Sequence, residues 1–174
     1  MEWHNVLRLS AVLPAIWATA AFGADKVVIG TLAVERPEVV RQASDRFGAQ
    51  CVVVSIDTKD GRAWIRSGTT PTEHDPVDLA REMERLGAGE ILLQSIDDDG
   101  MMSGYDVGAI AKVSAAVSIP VIASGGAGTF EHMLDALRDG GASAVAAASM
   151  FHFTEQTPME AKQYLAAAGI PTRV

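Results

Sequence analysis

At 174 residues the chain is long enough for one domain with a substantial core, yet short for a closed barrel of eight strand–helix units, which takes about 250 residues. Its 48% hydrophobic and 21% charged residues exclude a disordered chain, and 22 acidic against 14 basic side chains, a net charge of −8, argue against non-specific binding to nucleic acid or to an anionic membrane surface. The one cysteine, Cys51, excludes an intrachain disulfide framework and a cysteine-built zinc site; heading Val52-Val53-Val54, it reads as a buried small hydrophobe.

The first two dozen residues carry two signals. Arg8, the apolar run Leu9 to Ala21 and the small residues Ala18 to Ala24 imitate a secretory signal with a cleavage site. Leu9, Val12, Leu13 and Ile16 also share one helix face, with Gly23 as a stop. Glu2, Pro14 and a cleavage point directly before a strand favour a helix, which Pro14 itself interrupts. No stretch is long and apolar enough to span a membrane.

Lys26 to Thr31 reads as a first strand, and Pro37 opens a helix through Val40, Ala43 and Phe47 that ends at Gly48. Cys51 to Ile56 is a second strand stopping at Asp57. The polar stretch Lys59 to His74, with Gly61, Gly68 and Pro71, predicts a long functional loop in which Trp64 and Ile65 form part of a small hairpin. Asp75 is an N-cap with Pro76 at the first helical position, Leu79, Met83 and Leu86 on one face and Gly87 as stop. Glu90 to Gln94 is a third strand, followed by Ser95-Ile96-Asp97-Asp98-Asp99-Gly100 and a helix capped by Asp106 that carries Ile110, Val113 and Val117.

The fourth strand ends in the most informative stretch, Ile-Pro-Val-Ile-Ala-Ser-Gly-Gly-Ala-Gly (119–128). A buried strand, a tight loop and a helix N-terminus follow one another, and glycine lets the backbone approach a bound group closely while unpaired N–H groups favour an anion, phosphate above all. The next helix shows Phe130, Met133, Leu134 and Leu137. Ala144 to Ser149 is the fifth strand, and the last helix opens with the capping-box pattern Thr157-Pro158-Met159-Glu160 and stops at Gly169.

Five nearly all-apolar strands alternating with helices predict an α/β domain over 1–174, with a parallel sheet covered by helices: a doubly wound sheet or part of a barrel. Either way ligands bind at the C-terminal strand ends, where Thr31, Asp57, Asp97, Asp99, Ser124 and Ser149 converge. Ser55-Ile56-Asp57 echoes Ser95-Ile96-Asp97. His74, His132 and His152 lack metal spacing and read as loop, helix-surface and packing residues, so neither metal nor cofactor is expected.

From about Ala21 to Val174 the chain resembles the C-terminal portion of the cyclase subunit of imidazole glycerol phosphate synthase, of histidine biosynthesis. The matching stretches are Gly-Ala-Asp-Lys-Val-Val-Ile (23–29), Val-Val-Val-Ser-Ile-Asp (52–57), Gly-Ala-Gly-Glu-Ile-Leu-Leu (87–93), Ser-Ile-Asp-Asp-Asp-Gly (95–100), Ser-Gly-Tyr-Asp (103–106), Ile-Ala-Ser-Gly-Gly-Ala-Gly (122–128) and Ala-Ala-Ser-Met-Phe-His-Phe (147–153). The resemblance implies a TIM barrel, (β/α)8, of which these are the fourth to eighth strands. It also implies a cytoplasmic subunit fed with ammonia by a partner glutaminase and acting on a substrate with a phosphate at each end.

In that family two aspartates, on the first and fifth strands, act as general acid and base, and Asp57 matches the second of them. Asp57 read alone is a loop cap. Asp99, Gly100, Gly126, Ala148 and Ser149 match a phosphate site made chiefly by backbone N–H groups, joined by Gly125; read alone, Gly125-Gly126 is a tight turn and Ser149 a helix cap. Thr31 matches a second phosphate site, but Gly30 stands where asparagine is usual. Lys26 and Glu90 match members of a charged ring that gates ammonia, with Asp25 near the glutaminase interface; read alone, they are solvated charges at strand starts.

Departures point to a rival. Gln94 replaces a usual threonine or asparagine, Met101-Met102 follow Asp-Gly where threonine is common, and Asp75 to Ala80 and Gly140 to Val145 look closer to paralogues that pass ammonia to an acetamido sugar in surface-polysaccharide biosynthesis. A non-catalytic half-barrel is the third reading. Because the chain shows no counterpart of the family's first three strands, the five strands would leave open sheet edges: either an N-terminal segment is missing from the sequence or the chain self-associates to cover them, and in both cases negligible cyclisation is expected until those units are added.

Overall fold

The computed structural model describes residues 24–173, so the helix expected before Gly23 lies outside the described residues. The elements are β1 (Val27–Ile29), α1 (Thr31–Glu35), α2 (Glu38–Phe47), a 3₁₀ turn (Ala49–Cys51), β2 (Val52–Lys59), β3 (Arg62–Ile65), β4 (Thr70–Pro71), α3 (Pro76–Arg85), β5 (Glu90–Ser95), α4 (Val107–Ser114), β6 (Val121–Ser124), α5 (Phe130–Arg138), β7 (Ala144–Val145), α6 (Ser149–Phe153) and α7 (Pro158–Ala167).

The five strands expected from the sequence pair in parallel in the order β1-β2-β5-β6-β7. The fold is therefore α/β with a mostly parallel sheet, and the described residues form an open arc rather than a closed barrel. One face of the sheet, with Val52, Val54, Ile56, Ile91, Leu93, Val121 and Ala123, is buried against helices that contribute Val39, Val40, Leu79, Met83, Ile110, Val113, Met133 and Leu134. Register puts Val28, Val53, Ser55, Asp57, Leu92, Gln94, Ile122 and Ser124 on the other face. This second face is the one a closed barrel would turn inward.

Helix starts follow the caps read from sequence. The Asp75 carboxylate accepts the N–H groups of Val77 and Asp78, Asp106 accepts that of Ala109, and Thr157 and Glu160 form a reciprocal capping box. Among the described residues no helix is long and apolar enough to cross a membrane.

Four local expectations are corrected. The second strand does not stop at Asp57 but runs to Lys59, because Asp60 and Gly61, both at positive φ (51° and 72°), make the two-residue turn that matches strand twist. This turn pairs Asp57 with Trp64 and Lys59 with Arg62. Cys51 is half-buried in the 3₁₀ turn rather than buried at a strand head. The fifth strand is two residues long instead of six: after Val145 the alanines 146–148 bring no large side chain to pack, and Ser149 begins α6. An unforeseen helix, α1, follows Gly30 directly, since Pro37 marks only the start of α2.

Candidate functional site

The three consecutive aspartates after β5 differ in their surroundings. Asp97 pairs with Lys59 Nζ at 2.7 Å, and that hydrogen bond and charge hold the ammonium above its ordinary pKa. Lys59 also sits over the Trp64 ring, 5.8 Å from its centroid. Asp98 accepts the hydroxyl of buried Ser95 at 2.6 Å. Only Asp99 faces the concave end of the sheet, where it lines two adjoining cavities.

The first cavity, about 140 Å³, is bounded by Asp99, Gly100, Ser124 to Ala127 and Ala146 to Ser149. It is well below the 300–1,000 Å³ usual for a drug-sized ligand and suits one compact anionic group. Its floor is backbone. Gly125 and Gly126 have φ of 86° and 107°, and a Cβ on Gly126 would collide with the Gly104 carbonyl oxygen. The Gly104 N–H donates to the Gly126 carbonyl at 2.8 Å, fastening the 98–104 loop to the glycine loop. The α6 N-terminus opens onto the same space with no side-chain cap, whereas Thr129 caps α5 by accepting the His132 N–H. Five of the residues expected at a phosphate, Asp99, Gly100, Gly126, Ala148 and Ser149, therefore come together here with Gly125.

Tyr105 secures the far wall. Its buried hydroxyl donates to the Ala146 carbonyl at 2.9 Å, and burial pushes its pKa above the ordinary tyrosine value. A raised pKa means that this contribution to stability is complete below about pH 10, where unfolded tyrosine ionises, and is lost as pH rises toward the folded value. Tyr105→Phe should cost about 1–3 kcal/mol and remove part of the alkaline loss of stability, read from urea midpoints at neutral and alkaline pH.

The second cavity, about 360 Å³, is lined by Ser55, Asp57, Ser67, Gly68, Gln94, Ile96 and Asp99. Asp57 lies in the ladder directly between Gln94 of β5 and Trp64 of β3, so its backbone is fixed on both sides. Its half-buried carboxylate accepts the Ser55 hydroxyl at 3.1 Å, the two being neighbours on one strand face. Ser67 and Gly68 arrive on the β3–β4 turn, where Arg66, Ser67 and Gly68 all have positive φ (57°, 57° and 72°). Sequence reasoning missed Ser55, Ser67 and Gln94 as neighbours of Asp57. Alternation along β2 signals Ser55, and Asp60-Gly61 signals the hairpin that brings Ser67.

Thr31 stands apart from both cavities: its hydroxyl accepts the Arg66 N–H at 2.7 Å, and the Arg66 guanidinium pairs with Glu35 at 2.9 Å. Gly30 has φ −99°, and a Cβ there would meet only Ser55, at 3.9 Å, so no crowding demands glycine at that position. At the opposite end of the sheet Lys26 Nζ pairs with Glu90 at 2.5 Å. His152 is exposed on α6 rather than packed inside, while His132 accepts the Gly128 N–H through Nδ1 at 3.3 Å.

The arrangement offers a backbone cradle for an anion, a fixed carboxylate for proton transfer in an adjoining cavity, and one aspartate bordering both. In comparison with known families, the family described as "Histidine biosynthesis protein" matches residues 14–157. A match across most of the sequence, over a sheet of this order with its polar groups at the C-terminal strand ends, shows that the chain belongs to the histidine biosynthesis protein family.

Proposed function

We propose that the chain is a cyclase subunit of the imidazole glycerol phosphate synthase type. It uses ammonia from a partner glutaminase to cleave and cyclise a bis-phosphorylated aminoimidazole carboxamide ribonucleotide. The observation that carries this reading is the adjacency of the Asp57 cavity and the glycine cradle, with Asp99 bordering both. One substrate phosphate binds the N–H groups around Gly126 and Ser149, which sets the reacting carbons beside Asp57. Asp57 then moves the proton as ammonia adds and the ring closes. Lys26 and Glu90, paired at the far end, form part of the ammonia entrance. Thr31 receives the second phosphate, a site weakened by the missing side chain at Gly30.

Inorganic phosphate or a sugar phosphate titrated into the folded protein should shift the amide NMR signals of Gly100, Gly126 and Ser149. Movement of distant signals with these three still would remove the cradle from the proposal.

One observation favours a second substrate for the same chemistry. Gln94, which departs from the family's usual threonine or asparagine, lines the Asp57 cavity and brings a longer amide to where substrate is read. This supports the polysaccharide-linked paralogues, in which ammonia reaches an acetamido sugar. Ammonia-dependent turnover of each substrate, with the barrel completed, separates the two.

A further inference from the structure

A ligand that occupies both cavities crosses Gln94. Along β5 the side chains alternate, so Ile91 and Leu93 are buried against the helices and Gln94 stands on the concave face. The ladder sets Gln94 level with Asp57 on one side and Ser124 on the other. Asp57 lines the larger cavity and Ser124 the smaller. With neighbouring strands about 4.8 Å apart, these two residues stand roughly 10 Å from each other with Gln94 midway. The Gln94 carbonyl accepts the Thr58 hydroxyl at 3.1 Å, which fixes the strand at this level. Its side-chain nitrogen lies 3.3 Å from where a Cβ on Gly125 would sit, so the amide reaches over the glycine loop while also lining the Asp57 cavity. Among the described residues no group hydrogen-bonds that amide, and it is not sealed from solvent. Its donors and its acceptor are open to a ligand.

We propose that Gln94 is a specificity-determining residue, which reads hydroxyl groups on the carbon chain between the bound phosphate and the carbon placed beside Asp57. This inference rests on the reading of the glycine loop as a phosphate cradle. A chain crossing here passes the Gln94 amide and the Asp99 carboxylate, which borders both cavities. Hydroxyl groups match that pair, because each can accept from the amide nitrogen while donating to the carboxylate or to the amide oxygen. A plain alkyl chain would strip water from both groups and return no hydrogen bond. The ligand class is therefore a sugar or polyol phosphate rather than an alkyl phosphate. Packing makes no use of the amide, since no described residue pairs with it.

Glycerol 3-phosphate and n-propyl phosphate share a three-carbon chain and differ only in hydroxyl groups. Titrated into the full chain and followed by NMR, both should shift the backbone amides of Gly126 and Ser149, and only glycerol 3-phosphate should shift the side-chain NH₂ pair of Gln94. Glycerol 3-phosphate should bind about tenfold tighter, as expected when its analogue forfeits one or two hydrogen bonds. Gln94→Met keeps the length and removes the donors and the acceptor. It should bring the two affinities within about twofold of each other, while Gly126 and Ser149 still respond. Equal affinities in the wild type, an unmoved Gln94 pair, or a preference that survives Gln94→Met would overturn the inference and leave the cradle standing. Gly126 and Ser149 unmoved by both probes would instead remove the cradle, and this inference with it. Should the variant not fold, the wild-type shifts and affinities decide alone.

Discussion

Asp57→Asn should lower ammonia-dependent turnover about 10²- to 10⁴-fold, the usual contribution of a positioned general acid or base, in a barrel completed by its first three strand–helix units. The substitution is nearly isosteric, and the Ser55 hydroxyl that donates to Asp57 Oδ1 can donate equally to an amide oxygen. The strand is held by ladder pairing to Gln94 and Trp64, so the fold is retained and the loss is chemical. An amide can neither take nor deliver a proton at neutral pH. Turnover is measured with an ammonium salt so that glutaminase coupling does not enter. Near-normal turnover would exclude Asp57 as a proton carrier and leave it a structural hydrogen-bond acceptor.

Gly126→Ala should lower stability by about 2–4 kcal/mol, from a strained φ and the weakened loop-fastening hydrogen bond, and abolish phosphate binding in the cradle. Gly126 has φ 107°, its new methyl would meet the Gly104 carbonyl oxygen, and the Gly104 N–H already donates to the Gly126 carbonyl. Relief requires the 98–104 loop to withdraw, taking Asp99 and Gly100 away from the cavity they line. For a chain of this size that loss corresponds to a thermal midpoint about 5–15 °C lower. Gly108→Ala is the control: Gly108 lies inside α4, and its methyl would meet only a carboxylate oxygen of Asp106, at 3.5 Å. Alanine there should leave stability unchanged or raise it by up to about 1 kcal/mol. Unchanged melting and phosphate binding in Gly126→Ala would show that the glycine is an ordinary turn residue.

By itself the sequence determined the alternation of strands and helices, the parallel sheet and the caps at Asp75, Asp106 and Thr157, because these depend on hydrophobic period and local hydrogen bonding within a few residues. It also determined the turn at Gly125-Gly126, both at positive φ, since two glycines after an apolar strand carry their own backbone signature. Tertiary structure decided the rest. Asp97, Asp98 and Asp99 are chemically identical in sequence, and only the packing of Lys59 and Ser95 beside the first two leaves the third to border both cavities. Ser55, Ser67 and Gln94 surround Asp57 because a strand face, a hairpin turn and a neighbouring strand meet there, a juxtaposition set by sheet register. The shortness of β7 and the exposure of Val28 and Phe153 are likewise properties of the open arc, since whether an apolar side chain is covered depends on which elements pack over it and not on the residue itself.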